Sequence, residues 1–289
     1  MNKVLILLAL MLALPAEHFA QSHKNVTYAD KNQINDFYKS KTMVVKDADP
    51  MSSFNLEIGD ILEKYWTVTP YEMIDDAQFK KLRKNPKYSF IYLSKVQREK
   101  DKKKVYYIYL EIVMGADVKD LNSLPVLLSL PIAYTGVDED SYADKLPLMI
   151  RFAQLHIENM KTVKNPKTMN NLKNYSNDSQ LLKSMTLLVK ESDLSEQVNT
   201  VEKIQKDYSG PVKIVSSEEM VKAIADKTPN TAVLHQVSPG EDENEGQSFC
   251  QIYGTEDAKL YYYNHVRITE RRPAGMLSRD FRLISGKWF

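Results

Sequence analysis

A short segment that occurs twice constrains the fold of this chain more than any other feature. Residues 42–49 read TMVVKDAD, and residues 186–193 read TLLVKESD. Four of the eight positions are identical and the other four are conservative. Self-similarity at a long spacing is typical of a duplicated supersecondary unit, so the elements that follow each copy provide the test.

The same order of elements is predicted after both copies. Apolar residues first recur at helical spacing, and a short strand then follows Pro70 or Pro211. A capping box at Asp75 or Ser216 opens a second helix. Two hairpin strands, a third strand and a last amphipathic helix complete each unit. The sequence therefore predicts an α/β fold with two tandem copies of a β-α-β-α-β-β-β-α module, each a mixed sheet covered by helices.

The pattern divides the chain into five segments. In the second copy, Leu194, Val198, Val201 and Tyr208 predict one amphipathic first helix. Five asparagines between the copies indicate a linker. The segments are a signal peptide over residues 1–20, a flexible N-terminal arm over 21–41, repeat 1 over 42–163, the linker over 164–184 and repeat 2 over 185–289.

The N-terminal segment has the pattern of a secretory signal. Lys3 precedes an apolar run over residues 4–14, and Pro15 ends it. The run is too short to span a bilayer, and no cysteine follows it for lipid attachment. We expect cleavage near Ala16 or Ala20, a periplasmic or secreted protein, and no transmembrane segment in the mature chain.

Charge and cysteine content exclude several classes of protein. The chain has 39 basic and 38 acidic residues, so its net charge of +1 creates no global field for nucleic acid. We therefore predict no nucleic-acid partner. Cys250 is the single cysteine, which rules out an intramolecular disulfide, and its apolar neighbours predict a buried strand position.

Motifs of common catalytic chemistries are absent from the sequence. There is no glycine-rich phosphate loop, zinc-binding HExxH helix, nucleophile elbow or CxxC pair. His235 and His265 could hold a metal with a carboxylate if their strands are adjacent, but structural roles are favoured for these residues and for His156. We predict no catalytic residue, no metal and no cofactor.

Two clusters near the C-terminus are candidate ligand sites. Arg267, Arg271 and Arg272 lie between the last strand and the last helix, where a helix N-terminus can help to bind an anion. The alternative is a solvated turn. Side chains alternate along a strand, so Tyr261 and Tyr263 share one face. Core packing explains them, and a platform for a sugar or peptide is the alternative.

The tips of the two predicted hairpins carry opposite charge. Residues 98–104 are strongly basic, and residues 241–245 are acidic. Opposite charges favour pairing between the halves or between molecules, whereas charge at a tip also prevents unwanted edge pairing. The residues predicted for protein interaction are Lys102, Lys103, Lys104, Glu241, Asp242 and Glu243.

Two local features carry a resemblance to other proteins. The helix end EKYW at residues 63–66, followed by TPYE at residues 69–72, is similar to exported proteins of unknown function in Bacteroidota. The β-α-β-α-β-β order also resembles envelope accessory modules such as the TolB amino-terminal domain, a likeness at the level of the fold. The resemblance implies a role in the cell envelope.

Three functions remain open from the sequence. We expect a non-enzymatic adaptor or accessory factor that binds another cell-envelope protein, with its oligomeric state unassigned. The alternative is a small-ligand-binding protein with a site between the two repeats. The third is an enzyme with a dispersed active site, which would show convergent polar residues and shifted pKa values in one pocket.

Overall fold

Two mixed β-sheets with helices packed against them form the framework of the chain. They are seen in a computed structural model, which describes residues 20–22, 26–97, 106–239 and 245–287. The predicted α/β class is confirmed, because both sheets combine parallel and antiparallel strands with connecting helices. Within the described ranges, no helix is long and apolar enough to cross a bilayer.

The first sheet contains six strands, which are β1 (Ala20–Ser22), β2 (Lys41–Val45), β3 (Tyr71–Ile74), β4 (Tyr88–Gln97), β5 (Tyr106–Met114) and β6 (Val126–Tyr134). Five of them follow the order β3-β2-β4-β5-β6, and β1 pairs with the last residues of β4. β2 is parallel to β3 and β4, whereas β4, β5 and β6 form an antiparallel meander.

Helices pack on both faces of this sheet, and they are α1 (Lys31–Phe37), α2 (Ser53–Tyr65), α3 (Asp76–Leu82), α4 (Asp140–Ala143) and α5 (Leu146–Thr162). α2 and α5 share a core with Val44 and Ile91 on one face. On the other face, the Phe79 ring of α3 lies 5.3 Å from the Tyr92 ring. Glu111 is paired with Tyr92 and points to the same side. We call this second face the inner face.

The second sheet contains five strands, which are β7 (Thr186–Val189), β8 (Val212–Ile214), β9 (Thr231–Val237), β10 (Gln247–Gly254) and β11 (Leu260–Arg267). Their order is β8-β7-β9-β10-β11, with the same directions as β3-β2-β4-β5-β6. The α-helices of this half are α6 (Val201–Gln205), α7 (Ser217–Ala225) and α8 (Ser278–Ile284).

The two sheets do not match in the register that the repeated segment predicts. The Thr42 N–H donates to the Pro70 carbonyl at 2.8 Å, and the Leu187 N–H donates to the Pro211 carbonyl at 2.9 Å. Thr42 therefore corresponds to Leu187, one residue beyond Thr186. A shift of one residue exchanges the two faces of a strand. The alignment of Thr42 with Thr186 in the repeated segment is therefore wrong as a structural equivalence.

The first helix of the second half is shorter than predicted. Two 3₁₀ turns, Glu191–Asp193 and Glu196–Val198, precede α6. The Ser195 N–H donates to the Met276 carbonyl, and the Met276 N–H donates to the Asp193 carbonyl. These bridges use the backbone groups that a continuous helix would require.

Residues 26–41 pack against the first sheet, within the segment 21–41 that the sequence predicts as a flexible arm. The Ala29 N–H donates to the Val126 carbonyl at 2.9 Å, which holds this segment beside β6. Asp30 forms a capping box at the start of α1. Ile34 and Phe37 of α1 are buried in the core.

The linker forms 3₁₀ helices over Pro166–Asn170 and Leu172–Ser184. The second of these runs beside β11, where Ser176 Oγ exchanges hydrogen bonds with the backbone N–H and carbonyl of Tyr263. The linker thus connects the two halves and also covers the outer strand of the second sheet. The boundaries predicted for the two repeats stay predictions.

The two halves meet through the end of β6 and the face of the second sheet that carries His235 and Gln251. We call this the inner face of the second sheet. His235 Nε2 donates to the Ile132 carbonyl at 3.0 Å, and Gln251 Nε2 donates to the Pro131 carbonyl at 2.7 Å. Val233 and Tyr253 from the second sheet belong to the same apolar cluster as α2 and α5. One continuous core therefore joins the halves.

Candidate functional site: a cleft between the two sheets

A cleft of about 460 Å³ lies where four distant parts of the chain converge. Its walls come from residues 26–28, from β5 and β6, from the linker at residues 170–172, and from β11. Pockets for small molecules are typically about 300–1,000 Å³. We call this space the inter-sheet cleft.

The first sheet supplies the floor of the inter-sheet cleft. Tyr109 on β5 and Ser129 on β6 line it from the inner face. Tyr109 is 3% exposed, and its ring lies 6.3 Å from the Phe249 ring of the second half in an edge-to-face arrangement. The Tyr109 ring is thereby fixed in orientation by packing across the junction.

The N-terminal segment supplies one wall. Tyr28 forms an isolated parallel bridge with Val126, and the Val126 N–H donates to the Thr27 carbonyl at 2.8 Å. Burial raises the pKa of the Tyr28 phenol, and the nearby Glu111 carboxylate raises it further. Tyr28 therefore presents a neutral hydroxyl, which can both donate and accept a hydrogen bond.

β11 supplies the opposite wall. Tyr263 and His265 are two residues apart on this strand, so their rings project to the same side. The ring centroids are 6.2 Å apart, and the His265 ring is 5.9 Å from Phe249. The hydrogen bonds of Ser176 to the backbone of Tyr263 fix this wall against the linker.

The linker contributes a polar group that lacks a protein partner. Asn170 ends the first 3₁₀ helix of the linker and lines the inter-sheet cleft beside Asn171. Its side-chain amide nitrogen is buried and makes no hydrogen bond within the described residues. A buried amide donor without a partner is unfavourable.

Glu111 lies beneath the floor, and it is only 2% exposed. Its Oε1 accepts hydrogen bonds from Ser129 Oγ at 2.9 Å and Ser94 Oγ at 3.2 Å. Burial raises the pKa of Glu111 to about 7, although the two serine hydroxyls oppose this shift. Glu111 also lines a small cavity of about 10 Å³, which shares Val26 and Ser129 with the inter-sheet cleft.

The lining of the inter-sheet cleft is polar but carries no strong charge. Hydroxyl, amide and aromatic groups dominate, and neither a carboxylate, a lysine nor an arginine lines it within the described residues. Leu128 and Leu172 add limited apolar surface. The arrangement suits an uncharged ligand that combines hydroxyl groups with apolar faces.

Comparison with known protein families, with characterised proteins and with solved structures finds no match. The chemistry of the inter-sheet cleft is therefore the basis for a functional assignment.

The three arginines predicted as an anion site do not line the inter-sheet cleft. Arg267 ends β11, and Arg271 and Arg272 belong to a turn that backbone hydrogen bonds between Thr269 and Arg272 close. All three are exposed. α8 begins only at Ser278, with residues 273–277 between it and the turn. Their anion-binding role stays a prediction.

The six hairpin-tip residues lie outside the described residues, so their role in protein interaction also stays a prediction. They are Lys102, Lys103, Lys104, Glu241, Asp242 and Glu243.

His156 and His235 have structural hydrogen-bond partners, and the contact of His235 with Ile132 was described above. His156 is fully buried, with Nδ1 at 2.8 Å from the Tyr175 hydroxyl and Nε2 at 3.2 Å from the Leu127 carbonyl. Burial lowers the pKa of His156 to about 4. His235 and His265 are on β9 and β11, with β10 between them, so they lack the adjacent strands that the alternative of a shared metal site requires.

Sequence reasoning identified few residues of the inter-sheet cleft. Tyr263 and His265 were considered, whereas Glu111, Ser129 and Asn170 were not. One signal was present for Glu111, because it is the only charged residue among the nine of β5. A single carboxylate inside an apolar strand is a reason to expect a specific environment.

Proposed function

We propose that this protein binds a small uncharged ligand of the saccharide class in the inter-sheet cleft. A sugar ring has apolar C–H faces that pack on aromatic rings and hydroxyl groups that need donors and acceptors. Tyr263 and His265 offer the rings, and Ser129, Asn170 and the Tyr28 hydroxyl offer the polar groups. The volume of about 460 Å³ accommodates a monosaccharide or a disaccharide.

The observation that carries this proposal is the buried amide nitrogen of Asn170. In the described residues it has no hydrogen-bond partner, and it lines the inter-sheet cleft. Buried polar groups almost always have partners in folded proteins. Asn170 lines the cleft, and a rotation of its side chain would bring this donor to a ligand oxygen.

We propose that the chain arose by duplication, and this origin supports the position of the site. The strand orders of the two sheets correspond, with Glu111 equivalent to Gln251 and Ser129 equivalent to Tyr263. Each half thus contributes the same inner face to the junction. Ligand sites commonly form where two structural units meet, because neither unit alone closes the space.

The test is a calorimetric titration of the purified protein with N-acetylglucosamine and glucose, with citrate as an anionic comparison. We expect saturable binding of a saccharide and none of citrate. Replacing the Asn170 donor in Asn170→Ala should weaken saccharide binding roughly fivefold, since one hydrogen bond contributes about 1 kcal/mol. Asn165→Ala, an exposed asparagine of the same linker, is the matched control. Equal affinities of both variants, or no saccharide binding, would contradict the proposal.

The envelope-adaptor function and the periplasmic or secreted location stay predictions. The adaptor function rests on a duplication without a catalytic motif and on the resemblance at residues 63–72, and the location rests on the N-terminal apolar run, which lies outside the described residues.

A further inference from the structure

Ser129 connects the inter-sheet cleft to the buried carboxyl group below it. Its side chain lines both the cleft and the small cavity of Glu111. Its Oγ lies 2.9 Å from Glu111 Oε1, and Ser94 Oγ approaches the same oxygen at 3.2 Å. The hydrogen-bonding direction of Ser129 therefore depends on whether Glu111 carries a proton.

An ionised Glu111 fixes Ser129 as an acceptor at the cleft. A carboxylate can only accept hydrogen bonds, so both serine hydroxyls donate to Oε1. A ligand in the cleft then meets only the lone pairs of Ser129 Oγ, which accept hydrogen bonds. A protonated Glu111 can instead donate its O–H to Ser129 Oγ, which leaves the Ser129 proton available to a ligand oxygen.

We propose that the inter-sheet cleft takes up one proton together with its ligand, that Glu111 holds this proton, and that Ser129 thereby selects ligands with a carbonyl or ether oxygen as acceptor. This inference rests on the proposed ligand site. The proton comes from solvent and returns to it on release, so no bond of the ligand is made or broken.

The surroundings of Glu111 favour this exchange. The titratable groups that face it are Tyr92 from β4 and Tyr28 from the N-terminal segment, with Tyr263 and His265 across the cleft. Asn122 and the apolar side chains of Val26, Leu121 and Val126 complete the small cavity. No lysine or arginine in the described residues around this cavity stabilises the carboxylate. The pKa of about 7 means that ligand-free protein is mainly ionised above neutral pH.

The experiment is calorimetry of N-acetylglucosamine binding in two buffers with different heats of ionisation, which gives the number of protons taken up. At about pH 8.5 we expect uptake approaching one proton, and at about pH 5.5 nearly none, because Glu111 is then already protonated. Above neutral pH the affinity should fall by up to roughly tenfold per pH unit. Glucose, which lacks the amide carbonyl, should bind more weakly.

Two variants distinguish this linkage from a general effect of pH. Glu111→Gln cannot take up the proton, so proton uptake and the pH dependence of affinity should both disappear. Glu57→Gln removes a half-buried carboxyl group with a raised pKa outside the cleft, and it should keep both. Saccharide binding without proton uptake, or uptake that persists in Glu111→Gln, overturns the proton linkage alone. Absence of binding by every saccharide overturns the proposed function as well.

Discussion

Glu111 and His156 are each buried at a place where the charged form is unfavourable, and each therefore makes stability depend on pH. Glu111 is 2% exposed and His156 is fully buried. Burial raises the pKa of the acid and lowers the pKa of the base, so both are driven towards the neutral form. The two effects have opposite signs over overlapping pH ranges, so a variant that cannot titrate is needed at each site to separate them.

Replacing Glu111 with glutamine should stabilise the protein at alkaline pH. The folded-state pKa of about 7 is above the ordinary value of 4.5, so the folded state binds more protons between these values. Stability therefore falls as pH rises through this range, by about 3 kcal/mol in total. Glu111→Gln should lack this fall and exceed the wild-type free energy of unfolding at about pH 8, measured by urea denaturation. Glu158→Gln at an exposed position should change it by less than about 0.5 kcal/mol.

His156 should make the protein sensitive to acid. Its folded-state pKa of about 4 is below the ordinary value of 6.5, so the unfolded state binds more protons between these values. Stability should fall by about 3 kcal/mol as pH decreases through this range. His156→Gln cannot titrate, so urea denaturation at several pH values should give it a smaller acid-dependent loss than wild type. An identical loss in both proteins would assign acid sensitivity to other groups.

At the scale of elements, α1 shows how a segment that looks polar can still belong to the core. Asp30 caps it, and Ile34 and Phe37 are the two buried residues on its apolar side. The Phe37 ring lies 6.2 Å from the Trp66 ring at an interplanar angle of 89°. The arrangement fixes α1 against the end of α2.

Truncating Phe37 therefore tests whether residues 26–41 are part of the folded unit. Phe37→Ala removes a fully buried ring and should lower the free energy of unfolding by about 3–5 kcal/mol. Lys31→Ala on the exposed side of α1 should change it by less than about 0.5 kcal/mol. Chemical denaturation followed by tryptophan fluorescence gives both values. If Phe37→Ala leaves the free energy of unfolding nearly unchanged, the result would instead support the flexible arm that the sequence predicts.

The start of a helix could be predicted from the sequence where nearby residues determine it. The capping boxes at Asp75 and Ser216 are both present, because capping depends on residues only three positions apart. The register of the repeat was not predictable, since strand partners rather than the matching letters place Thr42 opposite Tyr71. The inter-sheet cleft was least predictable. Residues as distant as Tyr28 and Tyr263 meet there only through the packing of the two halves.

At the scale of the whole molecule, four buried charges join the halves in addition to the shared core. Lys145 Nζ, from the turn before α5, lies 3.3 Å from Asp193 Oδ2 in the second half. Lys190 Nζ, from the second half, lies 3.0 Å from Asp144 Oδ2 in the first. The four side chains are between 1% and 12% exposed. Their charges sum to zero, so the group is tolerated in the interior only while it is complete.

Removing one charge from this group should therefore destabilise the molecule more than removing a matched pair. Lys145→Met leaves Asp193 buried without its closest ammonium and should lower the free energy of unfolding by about 3–5 kcal/mol. The double variant Lys145→Met with Asp193→Asn leaves Asp144 and Lys190 as a neutral pair and should recover part of this loss. Urea denaturation followed by tryptophan fluorescence and by the reactivity of the buried Cys250 thiol reports on both sequence halves. Because the core is continuous, both probes should give one unfolding midpoint in wild type. If the losses of the two single variants add up in the double variant, these charges are not coupled.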